Sequence, residues 1–235
     1  MQKISIIIPV YNEARTILEL VARVLDVSFP IGREILIIDD CSNDGTDKAL
    51  EELSRRHAAE KIRIMRNEKN RGKGASVIRG LEAADGDIVV VQDADFEYSP
   101  SELPRLIEPI LRGEADAVYG SRFQAGYPTG MAFPNYFANV FLTALTNILF
   151  GTRLTDMETC YKLLRRDIIA SLQLRADRFE FEPEITSKLA LTKRRIIEMP
   201  ISYEGRTAAQ GKKIKARDFF IALAVLFKNR FSKLE

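Results

Sequence analysis

The stretch that decides the fold is NRGKGASVIRGLEAADGDIVVVQDAD, residues 70–95. A helical pattern over Ala75–Ala84 leads into Ile88–Gln92, a short apolar run rich in β-branched residues, which predicts a helix followed by a strand. The apolar run is continuous rather than alternating, which is typical of a strand buried on both faces. Asp93 and Asp95 follow at once, so we expect two carboxylates at the point where a buried strand ends.

Strand-like and helix-like segments alternate over the first 120 residues. The other predicted strands are Ile4–Val10, Glu34–Asp39, Ile62–Arg66 and Ala117–Gly120. The other predicted helices are Glu13–Leu25, Asp44–His57 and Pro100–Arg112. Such alternation indicates βαβ units with right-handed crossovers, so the sequence predicts an α/β fold with a mostly parallel central sheet flanked by helices.

The second half of the chain has a different pattern, with one predicted strand among helices. The predicted helices are Pro134–Phe150, Arg166–Gln173, Pro183–Leu191 and Arg217–Arg230. The predicted strand is Arg195–Tyr203. No linker separates the two halves, and a chain with 46% hydrophobic residues can fill one sizeable core. We therefore predict a single domain over residues 1–235.

Polar side chains follow four of the predicted strands at their ends. The four clusters are Pro9–Glu13, Asp39–Asp44, Asn70–Gly74 and Asp93–Asp95. Ligands of open α/β sheets bind at the carboxyl ends of the strands, so these clusters should line one cleft. Carboxylate oxygens suit Mg²⁺ or Mn²⁺, and Mg²⁺ is usually held by one or two carboxylates together with substrate phosphates. The sequence therefore predicts a cleft that binds anions and a divalent metal.

Several other classes of function lack their motifs. The first strand is not followed by a G-x-G-x-x-G turn, and Gly72-Lys73-Gly74 lacks the Walker spacing, which disfavours a dinucleotide-binding oxidoreductase and a P-loop ATPase. Residues 40–51 nearly match a calcium loop, but a strand precedes them and Ser42 stands at a ligand position. A net charge of +2, without aromatic residues interleaved in a basic stripe, disfavours nucleic acid as a partner.

Three segments of the first half resemble the inverting family-2 glycosyltransferases with the GT-A fold. These segments are SIIIPVYNE at 5–13, EILIIDDCSNDGT at 34–46 and the stretch at 70–95. Three later segments resemble the polyprenol-phosphate hexose synthases within that family. They are YGSRF at 119–123, DMETCYK at 156–162 and YEGRTAAQGKKI at 203–214. The resemblance implies transfer of a hexose from a UDP- or GDP-sugar to a polyprenyl phosphate, with Mg²⁺ or Mn²⁺ as cofactor.

The resemblance also implies roles for individual positions. The residues implied to bind the nucleotide sugar are Pro9, Tyr11, Glu13, Asp39, Asp40, Lys73, Asp93, Arg206 and Lys213. The implied metal ligands are Asp95, Asp93 and Glu97. The implied catalytic residues are Asp156, Asp93 and Arg122. Glu97 stands where the subgroup often has a glutamine, and Cys160 lies where it frequently has a glycine.

The acceptor decides the role of Asp156. A sugar hydroxyl must lose its proton as it attacks, so a family-2 enzyme that glycosylates a sugar or glycan would use Asp156, or else Glu158, as a base. A phosphate monoester is already ionised at pH 7 and needs only positioning. Asp156 as the cap of a helix over Tyr161–Arg166 is a structural alternative. A sugar nucleotidyltransferase is a remote alternative, because the residues after the first strand lack the glycine-rich basic loop of such enzymes.

The end of the chain has the pattern of a helix at a membrane surface. Large apolar residues at Phe219–Phe231 are flanked by lysines and arginines, although packing in the core is an alternative for this helix and for Pro134–Phe150. We expect a nucleotide-sugar-binding half at 1–120, an acceptor half at 121–215 and an amphipathic C-terminal helix at 216–235.

The sequence also bears on where the protein works. No stretch reaches the roughly 18 apolar residues of a bilayer-spanning helix. The first ten residues lack the cleavage site of a signal peptide. Cys41 and Cys160 lie far apart and suit a reducing compartment. We therefore predict a cytoplasmic enzyme that is peripheral at the inner face of the cell membrane.

Overall fold

A computed structural model describes residues 1–205 and 216–232 of the chain. The strands are β1 (Lys3–Val10), β2 (Gly32–Asp39), β3 (Ile62–Arg66), β4 (Ile88–Val91), β5 (Ala117–Ser121), β6 (Lys162–Arg165) and β7 (Ile196–Pro200). The helices are α1 (Ile17–Leu25), α2 (Thr46–Arg56), α3 (Lys73–Ala83), α4 (Leu103–Leu111), α5 (Phe133–Phe150), α6 (Ile169–Leu172), α7 (Phe181–Leu191) and α8 (Ala216–Phe231). The predicted alternation of strand and helix over the first 120 residues is confirmed.

The seven strands of the described residues form one sheet in the order β3-β2-β1-β4-β6-β5-β7. Neighbouring strands are parallel, except that β6 runs antiparallel to both β4 and β5. The predicted α/β fold with a mostly parallel sheet is therefore confirmed. Because β6 is reversed, the segment that precedes it lies at the same edge of the sheet as the carboxyl ends of the other strands.

The sequence predicts no strand at β6. This strand has only four residues, KLLR, and both of its ends are basic. Such a short run with charged ends shows neither the alternation of a half-buried strand nor a continuous apolar pattern. The alternative of a helix over Tyr161–Arg166 capped by Asp156 is wrong, because Lys162–Arg165 pairs with β4 and β5 in the sheet.

The central strands are buried on both faces, as their continuous apolar runs predict. Ile6, Ile7 and Ile8 of β1 have no exposed surface, and neither do Leu36 and Ile37 of β2. Complete burial of one such side chain contributes about 1.5–3 kcal/mol. This packing gives the carboxyl ends of the strands a rigid base from which polar side chains can project.

Helices α5 and α8 form a smaller apolar cluster outside the main core. Leu142 of α5 packs with Met157, Ala222 and Leu226. The other sides of the two helices carry exposed apolar residues, which we call the α5–α8 apolar surface. Its members are Phe133, Phe137, Phe141, Ile148, Phe220, Phe227 and Phe231. Each helix therefore has both a packed and an exposed face. In the part of the chain that is described, no helix is long and apolar enough to span a bilayer.

Candidate active site

The loops after β1 and β2 are joined to each other by hydrogen bonds. The N–H of Asn12 donates to Ser42 Oγ, and the N–H of Asn43 donates to Asn12 Oδ1, both at 2.9 Å. The N–H of Glu13 donates to Thr46 Oγ1 at 3.0 Å. Asn12 has a φ of 55°, a left-handed conformation that asparagine tolerates better than most residues. The two loops therefore form one fixed wall of the cleft.

Three of the residues predicted to bind the nucleotide sugar lie along this wall. Pro9 pairs with Ile38 near the end of the β1–β2 ladder, and Tyr11 and Glu13 follow the end of β1. All three predicted residues are partly buried. Glu13 also accepts a hydrogen bond from Thr16 Oγ1 at 3.0 Å, which fixes the turn before α1. An aromatic ring and a carboxylate in this setting can contact a base and a ribose.

Asp40 is buried and shapes the loop that follows β3. Its Oδ1 accepts hydrogen bonds from Asn67 Nδ2 at 2.7 Å and from the N–H of Arg71 at 2.8 Å. Its Oδ2 accepts the N–H of Gly72 at 2.8 Å. Asp40 therefore acts on the loop that leads to α3, which is an internal role that the sequence did not predict.

Asp39 is also buried, with 1% of its surface exposed. Its Oδ1 accepts the N–H of Ser42 at 3.0 Å, and its Oδ2 lies 3.3 Å from Arg66 Nε. The carboxylate thus supports the turn after β2 from inside.

A close approach between two backbone segments explains Gly72 and Gly74. A Cβ atom on Gly72 would lie 2.4 Å from the carbonyl oxygen of Asp177, and one on Gly74 would lie 2.4 Å from that of Ala176. Gly72 also has a φ of +100°, which side chains rarely allow. The two glycines let the amino end of α3 dock against the segment before α7, and this docking positions Lys73.

Lys73 and Asp93 form an ion pair in the cleft. Lys73 Nζ lies 2.7 Å from Asp93 Oδ1 and 3.0 Å from its Oδ2. The same ammonium is 3.7 Å from Cys160 Sγ and 3.8 Å from Glu182 Oε1. Burial alone would lower the pKa of Lys73, but the neighbouring groups together, with the charge of Asp93 first among them, raise this pKa well above its usual value. The structure thus brings together two predicted residues, one from α3 and one from the end of β4.

Asp95 and Glu97 lie in the turn that follows β4. Asp95 is buried, and its Oδ1 accepts the N–H of Glu97 at 3.0 Å. Glu97 Oε2 accepts the hydroxyl of Tyr203 at 2.7 Å. Burial and the neighbouring charge of Glu97 both raise the pKa of Tyr203, so this hydroxyl stays protonated and remains a donor. These contacts fix the turn and connect it to the chain after β7.

The carboxylates at this turn suit a hard divalent cation that shares its ligands with a substrate. Asp93, Asp95 and Glu97 offer oxygen atoms, which Mg²⁺ and Mn²⁺ prefer. Within residues 1–205 and 216–232, however, no three acidic, histidine or cysteine side chains are grouped to hold a metal ion. In this structure Lys73 pairs with Asp93 and the Tyr203 hydroxyl donates to Glu97, so a metal site made of all three carboxylates stays a prediction. A cation at Asp95 would need further oxygens, such as those of a diphosphate.

Arg122 and Asp156 form a buried bidentate ion pair on the other side of the cleft. Arg122 Nε donates to Asp156 Oδ2, and Arg122 Nη2 donates to Oδ1, both at 2.7 Å. The N–H of Arg122 also donates to Oδ2 at 3.0 Å. Burial alone would lower the pKa of Arg122, but the neighbouring groups together, with the charge of Asp156 first among them, raise this pKa well above its usual value. Two of the three predicted catalytic residues therefore form a fixed pair.

Three side chains hold the segment that carries Asp156. Glu198 of β7 accepts the N–H of Asp156 at 2.9 Å. Thr143 of α5 accepts the N–H of Met157 at 3.0 Å. At the start of this segment, Asn147 Nδ2 of α5 donates to the carbonyl of Leu154, and Asn147 Oδ1 accepts the N–H of Leu154, both at 2.8 Å. One side of α5 therefore fixes the segment next to Arg122, while its other side is exposed.

Sequence reasoning missed a second buried ion pair beside the site. Lys162 is 1% exposed, and its Nζ donates to Glu182 Oε2 at 2.5 Å and also to the carbonyl of Thr159. Glu182 stands in the first turn of α7. The signal in the sequence that could have indicated this pair is Glu182-Pro183-Glu184, because it places two acidic residues in the first turn of a helix that is buried.

Glu158 lies two residues after Asp156 and has an unusual environment. Its Oε1 is buried and has no hydrogen-bond partner among the described residues. Burial raises the pKa of Glu158 to about 7, against the opposing charge of Lys162. A carboxyl group that titrates near neutral pH can accept or donate a proton under ordinary conditions.

Most of the predicted site residues meet at one edge of the sheet. Asp93 follows β4, Arg122 follows β5, and Asp156 precedes the reversed strand β6. Two residues predicted to bind the nucleotide sugar, Arg206 and Lys213, lie outside the described residues. The cleft that can be described is therefore built by β1, β2 and β4 on one side and by β5 and β6 on the other.

The family model described as glycosyl transferase family 2 matches residues 5–172. The chain belongs to glycosyl transferase family 2. The family predicted from the sequence is thereby confirmed. The matched span contains the Lys73–Asp93 pair and the Arg122–Asp156 pair, whereas Glu182 lies beyond it.

Two curated relatives extend the match over most of the chain. The dolichol-phosphate mannosyltransferase of Pyrococcus furiosus is 30% identical over 233 residues, which cover 96% of this chain and 63% of that protein. The undecaprenyl-phosphate 4-deoxy-4-formamido-L-arabinose transferase of Pseudomonas aeruginosa is 28% identical over 211 residues, which cover 89% of this chain and 60% of that protein. The chain therefore spans less than two thirds of the length of either relative.

Solved structures share the fold of this family member. The glucosyl-3-phosphoglycerate synthase of Mycobacterium tuberculosis, in complex with Mn²⁺, UDP-glucose and phosphoglyceric acid, has a TM-score of 0.74 at 21% identity and covers 97% of this chain and 80% of its own. A mannosyltransferase from Pyrobaculum calidifontis, in complex with GDP-Man and Mn²⁺, has a TM-score of 0.66 at 19% identity and covers 97% of this chain and 62% of its own. The predicted glycosyltransferase fold is confirmed.

Proposed function

We propose that this family 2 member transfers a hexose from a UDP- or GDP-sugar to a polyprenyl phosphate, with inversion at the anomeric carbon. The names of the two curated relatives, which refer to dolichol phosphate and undecaprenyl phosphate, support a lipid phosphate as acceptor. The structural observation that carries the proposal is the buried pair of Arg122 and Asp156.

This pair favours an acceptor that is already ionised. Both oxygens of Asp156 accept hydrogen bonds from Arg122, so the carboxylate is poorly placed to take a proton from an attacking hydroxyl. A phosphate monoester has its second pKa near ~6 and needs no base at pH 7. It needs a fixed cation, and the planar guanidinium of Arg122 has the geometry that suits phosphate oxygens. Asp156 would then orient Arg122 rather than remove a proton.

The donor half supplies charge where the leaving group departs. A divalent cation at Asp95, when bound, would neutralise the charge that develops on the nucleoside diphosphate. Lys73 and Arg122 add fixed positive charge within the same cleft, and such preorganised charge stabilises the transition state without reorganisation. The Mn²⁺ held with UDP-glucose and with GDP-Man in two structural neighbours supports Mg²⁺ or Mn²⁺ and a UDP- or GDP-sugar here.

We further propose that the nucleotide lies against the wall formed by the β1 and β2 loops. Pro9, Tyr11 and Glu13 would contact the base and ribose, because they are the partly buried residues of that wall. Asp39 and Asp40 would support this wall from inside through the hydrogen bonds described above. The phosphate-binding roles of Arg206 and Lys213 remain part of this proposal.

A lipid acceptor requires a membrane, and the α5–α8 apolar surface is suited to meet one. Met157, next to Asp156, packs between α5 and α8, so the two helices that carry this surface also contact the segment of the proposed acceptor site. The Phe141 and Phe219 rings lie 5.9 Å apart, which joins the exposed faces of the two helices. Exposed Lys228 and Arg230 near the end of α8 would favour anionic lipids. We propose that the protein works from the cytoplasmic side, where its two free thiols stay reduced.

The first experiment is a donor and acceptor screen. The protein is incubated with Mn²⁺ or Mg²⁺, a panel of UDP- and GDP-sugars, and a short-chain polyprenyl phosphate, and nucleoside diphosphate release is followed. We expect release that depends on both the cation and the lipid phosphate. Nucleoside diphosphate release that is the same with and without the lipid phosphate would be consistent with a glycosyltransferase but would reject the proposed acceptor.

The membrane proposal is tested with vesicles that contain 30% phosphatidylserine as a chosen probe composition. We expect cosedimentation at low salt that weakens as salt is raised, since salt screens the basic residues. Substitution of two exposed phenylalanines, Phe137→Ser with Phe220→Ser, should weaken binding while the melting temperature stays unchanged. Wild-type protein that stays in the supernatant at low salt would reject this part.

One observation favours a second candidate, a family 2 enzyme that glycosylates a sugar or glycan hydroxyl. Glu158 has a pKa raised by burial to about 7 and a buried oxygen without a partner, so it fits the role of a base better than Asp156 does. In that case Glu158→Gln should abolish transfer to the hydroxyl acceptor. With a lipid phosphate acceptor, the same variant should retain most of its turnover, so the two candidates give opposite results.

A further inference from the structure

Four side chains from four different elements form a row of alternating charge beneath the cleft. Asp93 follows β4, Lys73 begins α3, Glu182 stands in the first turn of α7, and Lys162 begins β6. The distances along the row are 2.7 Å from Asp93 Oδ1 to Lys73 Nζ, 3.8 Å from Lys73 Nζ to Glu182 Oε1, and 2.5 Å from Glu182 Oε2 to Lys162 Nζ. Glu182 therefore faces one lysine with each of its two oxygens.

Lys162 is the fixed end of this row. It is 1% exposed, and its ammonium also donates to the carbonyl of Thr159. The same ammonium lies 4.9 Å from the centre of the Tyr119 ring, whose face attracts a cation. The Tyr119 hydroxyl is itself within 3.0 Å of Thr186 Oγ1 on α7. Lys162 is thus held on several sides, and its bond to Glu182 Oε2 directs Oε1 towards Lys73.

We propose that Glu182 is a positioning residue for the donor site: anchored by Lys162, its carboxylate keeps the Lys73 ammonium against Asp93. This inference rests on the proposed function, because it concerns how the nucleotide-sugar site is held. A lysine ammonium is a compact charge on a flexible four-carbon stem, so one carboxylate alone restricts it weakly. A second carboxylate on its other side restricts it to the position between the two.

The proposal explains why an acidic residue is buried in the first turn of α7. Glu182 is 7% exposed, and a buried carboxylate is costly unless cations and hydrogen bonds compensate it. The ion pair with Lys162 compensates the cost of burying the Glu182 carboxylate. That pair alone would not require Glu182 to lie near Lys73. The 3.8 Å approach to Lys73 links α7 and β6 of the second half to Asp93 of the first half.

The test compares Glu182→Gln with the double variant Lys162→Met/Glu182→Gln. The binding of UDP-glucose and of GDP-mannose is measured by calorimetry, with Mn²⁺ and with EDTA, and the melting temperature is recorded for each protein. Glu182→Gln should lower the melting temperature, because Lys162 loses its counter-charge. It should also weaken binding of the nucleotide sugar that the wild type prefers by about tenfold, a common effect of removing an outer-shell partner.

The double variant separates positioning from simple stabilisation. Replacing both members of a buried ion pair by uncharged side chains often restores stability. We expect the melting temperature to recover while the nucleotide sugar still binds about tenfold more weakly, because Lys73 still lacks its second carboxylate. Recovery of both stability and affinity would overturn the proposal, and so would unchanged affinity in Glu182→Gln.

Two further variants keep the test decisive. Glu182→Asp keeps the charge and the fold but withdraws the carboxylate from Lys73, so it should weaken binding without lowering stability much. Unchanged binding would count against the proposal.

Glu34→Gln is the matched control. Glu34 is 5% exposed, accepts a hydrogen bond from Ser5 Oγ at 2.5 Å, and lies near the amino end of β2, at the edge of the sheet opposite the cleft. This control should lower stability and leave binding unchanged. Wild-type protein that binds neither nucleotide sugar would reject the proposed function itself.

Discussion

The turns that carry Asp40 and Asp95 and the region around Asp156 and Glu182 hold these carboxylates in different ways. Asp40 and Asp95 accept hydrogen bonds mainly from backbone N–H groups a short distance away. Asp156 and Glu182 are instead paired with buried cations. Removal of the Asp40 carboxylate leaves neutral donors behind, whereas removal of Asp156 or Glu182 leaves an uncompensated cation. We therefore expect function and stability to separate where N–H groups hold the carboxylate and to change together where a buried cation does.

The largest expected effect is on turnover in Asp95→Ala. This carboxylate is the proposed ligand of the cation at the leaving diphosphate, and removal of such stabilisation costs about a thousandfold in rate. Asp95 accepts the N–H of Glu97, a neutral donor, and the loss of this hydrogen bond should lower the free energy of unfolding by only about 1 kcal/mol. The measurements are initial rates with the acceptor from the screen and urea denaturation.

Asp93→Asn is the control for that comparison, because Asp93 is paired with Lys73. It should lose both activity and affinity for the donor even when Mn²⁺ is saturating. Normal turnover in Asp95→Ala would remove the proposed metal site, and equal losses of stability in Asp95→Ala and Asp93→Asn would contradict the distinction between the two kinds of carboxylate.

The next largest effect is on stability in Asp156→Ala. Arg122 is 7% exposed and would keep its charge without a partner, so the free energy of unfolding should fall by about 3–5 kcal/mol. Urea denaturation measures this loss directly. The double variant Arg122→Met/Asp156→Leu should recover most of it, although not the activity. A loss below about 1 kcal/mol in Asp156→Ala would show that water or nearby groups compensate the guanidinium.

A smaller effect is expected in Asp40→Asn. In the wild type the two oxygens of Asp40 accept the N–H groups of Arg71 and Gly72. Asparagine keeps one of these oxygens and replaces the other with an amide N–H₂, which is a donor and cannot accept the second N–H. We expect a loss of about 2 kcal/mol in the free energy of unfolding. Proteolysis near residues 67–72 should also become faster, since Asp40 fixes that loop. A loss as large as that of Asp156→Ala would contradict the comparison between the two kinds of carboxylate.

The same difference decides what can be predicted from sequence. Asp93 and Asp95 follow a strand whose apolar run is evident, so their position at the sheet edge can be predicted from local pattern alone. Lys162 and Glu182 are 20 residues apart and meet only through β6, a strand too short and too charged to be recognised. Arg122 and Asp156 were predicted individually, through the family resemblance, but their pairing depends on the reversed direction of β6.

The apolar helices show a second limit of pattern. Polar residues spaced by four mark one line along α5, namely Asn135, Asn139, Thr143 and Asn147, but this pattern does not show whether the line faces solvent or packs against the protein. The structure places Thr143 against the Asp156 segment and leaves Phe137 in solvent. The composition of α8 predicts an interfacial helix, whereas the exposed face of α5 depends on which side the site segment occupies.

The smallest expected effect is the pH dependence that Glu158 contributes. Burial raises its folded-state pKa from 4.5 to about 7, so between these values the folded protein binds more protons at this position than the unfolded chain does. The contribution of Glu158 to the free energy of unfolding should therefore decrease as pH rises from about 4.5 to 7. We expect on the order of 1 kcal/mol, because part of this side chain remains accessible to solvent.

This contribution is isolated by measuring urea denaturation of the wild type and of Glu158→Gln at several pH values between 4.5 and 7.5. The glutamine cannot titrate, so the stability of the variant relative to the wild type should rise with pH. The groups that face Glu158 and could alter this slope are Lys162, Glu182, Arg122 and Asp156. A difference that is flat with pH would mean that Glu158 is ionised throughout, and the hydroxyl-acceptor candidate would then lose the base that favours it.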